Sequence, residues 1–280
     1  MRKKTVLFLI LFLLYKIHCF AQVIVGVIIN EETQEEIPYV NIGVQNQNIG
    51  TVSSPKGEFQ LDYLTTKVSD SIIFSSIGYH TQAFTVDSLK SLLAAQHPKV
   101  LMKPKINFLE EVVVNAKKGY LKKYGNGDGN KRKKVGFGPN DNLGREIGTV
   151  ISPQEKDALI SKVLINIGVN NYGKIKLRLN VYKWTDNEIG ERLNKKSLYF
   201  DTELKEGIWE MDIEKYGIVV ANDFFISLEY IQDMGEYGLY FTFSFNKSPT
   251  FMRATNNSKW EEITYKNKHV SISINTVLSY

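Results

Sequence analysis

The stretch KIKLRLNV, residues 174–181, alternates polar and apolar side chains without a break. Successive side chains of a β-strand point to opposite faces, so this pattern places the apolar residues on one face and the basic and amide residues on the other. It is the clearest strand signal in the chain. It predicts a strand that is half buried in a sheet.

The polar face of this strand leads into two aromatic residues. Tyr182 and Trp184 share the parity of Arg178, so all three lie on one face if the strand continues. Exposed rings beside an arginine are typical of sugar or peptide contacts, and these three residues are the candidate ligand-binding site. Glu229 would share the surface if its strand pairs nearby. The alternative is that the linker, a loop or another domain covers this face, because large aromatic side chains usually find cover.

Further strand-like segments fill residues 150–280. They lie at residues 207–213, 223–232, 237–245 and 270–276. This part of the sequence shows no long amphipathic helix and no alternation of strands with helices, which argues against a dinucleotide-binding fold. The runs LRLNVY, WEMDI and DFFISLE resemble jelly-roll domains of envelope proteins. We therefore expect a jelly-roll-like β-sandwich here.

Residues 117–149 have a different character. They are rich in lysine, arginine, glycine and asparagine, and their apolar residues recur with no period. This composition predicts a basic linker or a long exposed loop, whose charge either meets an anionic partner or keeps the segment solvated. Residues 126–130 have the spacing of the first calcium-loop ligands. Lys131 and Phe137 replace the required glycine and glutamate, so no calcium site is expected.

Residues 22–116 read as short strands separated by turn residues. The strand-like runs lie at residues 23–29, 39–44, 57–61, 71–75, 82–86 and 111–115. One helical turn is predicted at residues 88–95. Turns at intervals of about ten residues are the spacing of a β-sandwich.

Several motifs in this region occur in the order of a known family. They are EIPYVNI at 36–42, IGTVS at 49–53, GEF at 57–59, IFSSIGY at 73–79 and LEEVVV at 109–114. Together they resemble the carboxypeptidase-like regulatory family, with one departure: residues 53–55 replace the usual Thr-Asp.

The resemblance implies a prealbumin-like sandwich. In that family the domain is an accessory to a peptidase or an N-terminal extension of TonB-dependent outer-membrane receptors. The rest of this chain is too short to be such a receptor. The whole chain is therefore expected to be all-β, with two β-sandwich domains.

The N-terminus has the three parts of a secretory signal. Basic residues follow Met1, an apolar run covers residues 6–15, and Cys19 and Ala21 are small residues at the positions that a signal peptidase reads. We predict a signal peptide at residues 1–21 and an exported protein of the periplasm, outer membrane or cell surface. An uncleaved N-terminal membrane anchor is the alternative.

Charge and cysteine content narrow the function further. The chain has 35 basic and 30 acidic residues, a net charge of +5. The first 21 residues contain four of the basic residues and no acid, so the mature chain carries about +1 and offers no electrostatic case for nucleic acid. Cys19 is the only cysteine, so the mature chain would have no thiol nucleophile, disulfide or cysteine metal site.

The sequence contains no recognised catalytic or metal-binding motif. His80, His97 and His269 lack the spacing of a zinc site, and no Gly-x-Ser-x-Gly or phosphate-loop run occurs. We expect no catalytic residue, metal or cofactor. The expected function is that of an exported non-catalytic binding or structural module whose partner is an envelope protein or glycan, with outer-membrane association left open. The alternatives are a small outer-membrane β-barrel in residues 150–280, or a hydrolase with an unrecognised site.

Overall fold

A computed structural model describes residues 23–63, 65–95, 98–105, 119–139, 141 and 143–280. Most of the regular structure in these residues is β-strand, which confirms the all-β sandwich class. The buried apolar side chains form two large and separate cores, one drawn from residues 24–102 and the other from residues 137–278. The predicted signal peptide and the predicted strand at 111–115 lie outside the described residues.

The first core is enclosed by two small sheets. Its strands are β1 (Val23–Asn30), β2 (Asn41–Val44), β3 (Gly50–Val52), β4 (Glu58–Asp62), β5 (Ser71–Ser75), β6 (Gln82–Thr85) and β7 (Lys99–Met102), with helix α1 (Val86–Ala95) between β6 and β7. The sheet orders are β4-β1-β7 and β3-β2-β5-β6. Alternation along β4 buries Phe59 and Leu61, and α1 adds Leu89 to the same core.

The second core lies between two larger sheets. The strands are β8 (Leu121–Gly125), β9 (Asn130–Phe137), β10 (Glu146–Ile151), β11 (Ala158–Asn170), β12 (Ile175–Thr185), β13 (Glu188–Arg192), β14 (Leu198–Thr202), β15 (Gly207–Asp212), β16 (Val219–Val220), β17 (Phe224–Tyr230), β18 (Leu239–Phe245), β19 (Thr250–Arg253), β20 (Glu261–Glu262), β21 (Thr264–Tyr265), β22 (Lys268–Ile272) and β23 (Ile274–Ser279), with a 3-10 helix at Glu214–Tyr216.

One sheet has the order β13-β12-β17-β10-β19-β20, and β14 also pairs with β12. The other has the order β21-β22-β18-β11-β23-β8, with β15 and β16 on β11 and β9 on β18. The two sheets pack over one core. The strand predicted at residues 174–181 is β12, in the first of these sheets.

The predicted linker at residues 117–149 is wrong for the part of it that the structure describes. Strand β8 pairs with β23, β9 pairs with β18, and β10 lies between β17 and β19. The second sandwich therefore begins by residue 121 and not at 150. The basic residues of β9 concealed the strand because they face solvent, with Lys133 lying over the ring of Phe245 at 3.9 Å. Only Phe137, at the end of β9, is fully buried.

Pairing of β9 leads to a prediction about proteolysis. Trypsin should not cut the native protein between Lys131 and Lys134, because Asn130 on one side and residues 134–137 on the other pair with β18 and would have to leave it before cleavage. Mass spectrometry of brief digests checks this, with heat-unfolded protein as the control that shows the sites are cleavable. Rapid cutting within 131–134 of the native protein would show that β9 is open.

Candidate functional site: a charged seam and the cleft beside it

A row of charged side chains crosses the seven-stranded sheet. Cross-strand pairing places Arg178 opposite Glu229, Glu229 opposite Glu146, and Glu146 opposite Arg253. The exposed fractions are 2% for Arg178, 0% for Glu229, 0% for Glu146 and 9% for Arg253. The pairing expected for Glu229 is thus observed. The row is buried although it lies on the face that points away from the apolar core.

Glu146 is the centre of this row. Its carboxylate accepts hydrogen bonds from Arg253 Nε at 2.8 Å, Asn180 Nδ2 at 2.8 Å and the Tyr182 hydroxyl at 2.9 Å. The Ser227 hydroxyl also donates to it. A buried carboxylate is tolerated only when its oxygens are satisfied in this way, so these residues stabilise one another as a unit.

The surrounding charges set the protonation states. Burial alone would raise the pKa of Glu146, but the guanidinium groups of Arg253 and Arg192 outweigh it and hold that pKa below its usual value. Burial raises the pKa of Tyr182 to about 12, and the Glu146 carboxylate adds to the effect. Near neutral pH, Tyr182 is therefore a neutral donor to a charged Glu146.

Arg178 connects this network to the first sandwich. Its Nη1 lies 3.3 Å from both carboxylate oxygens of Glu229, and its Nη2 donates to the main-chain carbonyl of Tyr39. The rings of Tyr39 and Tyr199 meet with their centroids 4.9 Å apart. The first sandwich thus closes one end of the charged row.

The loop between β19 and β20 closes the other end. Asn256 Nδ2 donates to Ser75 Oγ at 3.0 Å, and Asn257 Nδ2 donates to the carbonyl of Gly43 at 3.2 Å. A Cβ at Gly43 would lie 2.8 Å from Asn257 Nδ2. The absence of a side chain at Gly43 lets this loop approach the first sandwich closely.

The predicted open binding face is therefore a covered face. Arg178, Tyr182 and Trp184 do share one face of β12, but Tyr182 is only 5% exposed and Trp184 is half-buried. Tyr182 packs against Phe225 and Trp260, and Trp184 packs against Phe251. Parity along one strand indicates which residues share a face. It carries no information about the distant segments that cover that face.

The raised pKa of Tyr182 predicts loss of stability at alkaline pH. Because the folded value of about 12 exceeds the usual 10.0, this contribution is complete below pH 10 and is lost as the pH rises through 12. The Tyr182→Phe variant lacks this loss. At pH 9 this variant should be less stable than the unmodified protein. The difference between their unfolding free energies, measured by urea unfolding, should shrink by about 2 kcal/mol between pH 9 and pH 12. The control is Tyr265→Phe, which removes the hydroxyl of an exposed tyrosine and should leave the unfolding free energy at pH 9 nearly unchanged.

A cleft of about 1000 Å³ lies beside the charged row, and residues of both sandwiches line it. The first sandwich contributes residues that include Tyr39, Ser53, Ser54, Pro55 and Gln60, and the second contributes residues that include Tyr172, Lys174, Lys176, Gln232 and Asp233. A neighbouring cavity of about 630 Å³ shares Thr51, Gln60, Leu143 and Asp233 with it. The two cavities thus adjoin, and together they make up the groove along the junction.

The groove combines aromatic and hydrogen-bonding groups. Tyr172 is 38% exposed and meets Tyr237 edge-on, with the ring centroids 6.0 Å apart. Gln232 is oriented by the main-chain N–H of Lys176, which donates to its Oε1 at 2.7 Å. Lys174 pairs with Asp201 at 3.1 Å. Such a lining suits an extended ligand with both apolar and polar groups.

The described residues hold neither a metal-ligand cluster nor a helix that could span a membrane. They contain no group of three or more histidine, cysteine, aspartate or glutamate side chains that could hold a metal ion. His269 pairs with Glu262 on the surface. None of the helices in this part of the chain is long and apolar enough to cross a membrane.

Comparison with known proteins identifies the first sandwich. Residues 24–114 match the family model of the CarboxypepD_reg-like domain, which confirms the resemblance seen in the motifs. The molecule is thus a two-sandwich β-protein whose first sandwich matches the CarboxypepD_reg-like domain. The chain has no significant match among curated proteins.

One solved structure with a distant likeness contains the cysteine protease and lectin-like domains of Cwp84, a surface layer associated protein of Clostridium difficile. The identity is 9% and the TM-score is 0.35, over 49% of this chain and 32% of that chain. This chain therefore spans only 32% of that structure's length. A likeness at this level carries no functional argument.

Proposed function

We propose that this chain is an exported, non-enzymatic envelope protein that binds an extended segment of a protein or glycan in the groove between its two sandwiches. The observation that carries the proposal is the cleft of about 1000 Å³ lined by both units. Clefts at domain junctions are common ligand sites, because two surfaces can enclose a ligand that neither could hold alone.

The departure from the family pattern supports the same location. Residues 53–55 replace the usual Thr-Asp of the family hairpin, and all three line the cleft. The hairpin therefore departs from the family pattern at the residues that border the junction. This is consistent with a function that depends on this particular pair of domains. The partly buried contacts of Arg178 and Asn257 with the first sandwich would hold the two walls in place, which lowers the entropic cost of binding.

The binding test uses the exposed wall of the second sandwich. The double variant Tyr172→Ala/Lys176→Glu removes one ring and reverses one charge in the cleft. Binding to an array of envelope glycans and peptides should fall at least about tenfold, while the thermal midpoint stays nearly constant.

The matched control is Tyr265→Ala/Lys268→Glu, which makes the same changes on an exposed hairpin elsewhere. Ligands that bind the unmodified protein should bind this control equally well. Full retention of binding by the cleft variant would show that the ligand sits elsewhere and would end the proposal.

Export is part of the proposal and rests on the signal-like first 21 residues. Protein recovered from the envelope should begin at Gln22, as measured by mass spectrometry of its N-terminus. Recovery of a chain that begins at Met1 would contradict export by cleavage.

A further inference from the structure

A second groove lies at the open edge of the second sandwich. It measures about 700 Å³ and shares no lining residue with the cleft at the domain junction. One wall comes from β13 and the turn that follows it, and the other from the 3-10 helix and β16. The walls therefore belong to the two different sheets of the sandwich.

The rim of this groove is strongly basic. Five cationic side chains line it, and the one carboxylate among the lining residues, Glu191, already pairs with Lys183. Of the other four, Arg192 is half-buried, donates to the Tyr182 hydroxyl at 3.0 Å and belongs to the charged row around Glu146. The remaining three, Lys195, Lys196 and Lys215, are exposed, and within the described residues none of them has a carboxylate oxygen within 4.0 Å. A mature chain of nearly neutral charge thus concentrates unpaired positive charge in one concave place.

Rigid elements hold these cations in position. The buried side chain of Asn194 accepts the main-chain N–H of Val181 at 3.0 Å and donates to the carbonyl of Lys196 at 2.9 Å, which holds the turn in place. Across the groove, Lys215 lies on the 3-10 helix, whose C-cap residue Gly217 has a left-handed backbone conformation. The basic rim is therefore part of the fold.

The floor of the groove is apolar. Leu198 and Ile218 are buried members of the main core, and Leu193 packs against the same core. Tyr216 is the one aromatic residue in the lining, and it is half-buried with Lys215 Nζ 5.3 Å from its ring centre. A glycan or a single-stranded nucleic acid would need freer rings for stacking. An apolar floor under a basic rim instead complements a peptide that carries both acidic and apolar side chains.

The strands that border the groove also favour an extended peptide. Strands β13 and β14 both pair with β12 and, among the described residues, no strand pairs on their other side. An edge strand has main-chain groups available to an added strand, which is a common mode of peptide recognition. We infer that this groove binds an extended acidic segment of a partner protein.

The test measures fluorescence anisotropy of a labelled synthetic peptide of alternating glutamate and leucine. The full mature chain should bind it, and added salt should weaken binding because the rim charges are exposed. The double variant Lys195→Glu/Lys196→Glu should bind at least roughly tenfold more weakly with an unchanged thermal midpoint. If that variant does not fold, Lys215→Glu tests the opposite wall with the same expectation.

The matched control is Lys103→Glu/Lys105→Glu, which makes the same charge change on the first sandwich and should leave binding intact. Equal weakening of peptide binding by both variants would mean that only the net charge of the protein matters, and it would overturn the proposed site. Binding of a heparin oligosaccharide, or of vesicles that contain phosphatidylglycerol, in place of the peptide would also overturn it. The cleft variant Tyr172→Ala/Lys176→Glu should bind this peptide normally, which separates this inference from the proposed function.

Discussion

Replacing Glu146 with alanine should lower the free energy of unfolding by about 3–5 kcal/mol, the largest effect we expect from a single substitution. The change removes the acceptor shared by Arg253, Asn180 and Tyr182 and leaves the buried guanidinium of Arg253 without its carboxylate. Removing one member of a buried ion pair costs more than the pair itself contributes, because the remaining charge stays desolvated. Urea unfolding followed by circular dichroism measures the loss.

The control is Glu236→Ala, which removes an exposed carboxylate from the same sandwich. It should change the unfolding free energy by no more than about 0.5 kcal/mol. Similar small effects of both substitutions would mean that water reaches Glu146 and that the row is not buried.

Replacing Gly148 with alanine should cost about 3 kcal/mol, although it adds only one methyl group. A Cβ at this position would lie 2.3 Å from the carbonyl oxygen of Ile226 and 2.7 Å from Cζ of Phe225. Gly148 lies in the central strand β10, between β17 and β19, so neither neighbour can move away freely. The expected result is a large fall in the midpoint of urea unfolding.

Gly190→Ala provides the comparison, because a Cβ there would meet Lys183 Cβ at an ordinary 3.5 Å. That variant should unfold within about 1 kcal/mol of the unmodified protein. A Gly148→Ala variant as stable as Gly190→Ala would show that the ring of Phe225 does not lie across β10.

Local patterns in the sequence predicted much of the fold. The alternation at 174–181 corresponds to β12, and the segments at 207–213 and 223–232 contain β15 and β17. The spacing of turns and the ordered motifs predicted the first sandwich, whose family the comparison confirms. These features depend on neighbouring residues, and that is why they can be read from one sequence. The resemblance of the second half to jelly-roll domains stays a prediction.

The predictions were wrong where the structure depends on contacts between segments that are distant in the sequence. Basic residues on a solvent-facing strand resemble those of a linker, so the sequence alone does not distinguish β9 from a linker, whereas its pairing with β18 does. The face that carries Arg178 and Tyr182 looked open because its cover comes from Tyr39, more than a hundred positions earlier, and from the loop at Asn256. A regular run of charged and amide residues on a strand gives no sign of whether it meets water or another domain.

The central claim is that this polar face is interior and that the ligand groove lies beside it. Since Cys19 is the only cysteine, single cysteines can be introduced into a chain of residues 22–280 and labelled with a thiol reagent. A Ser227→Cys variant places the thiol at a fully buried position on this face, and a Thr65→Cys variant places it at an exposed position that lines the groove. The Thr65→Cys thiol should react rapidly and the Ser227→Cys thiol only at the rate of unfolding. Equally fast labelling at both positions under native conditions would contradict the account.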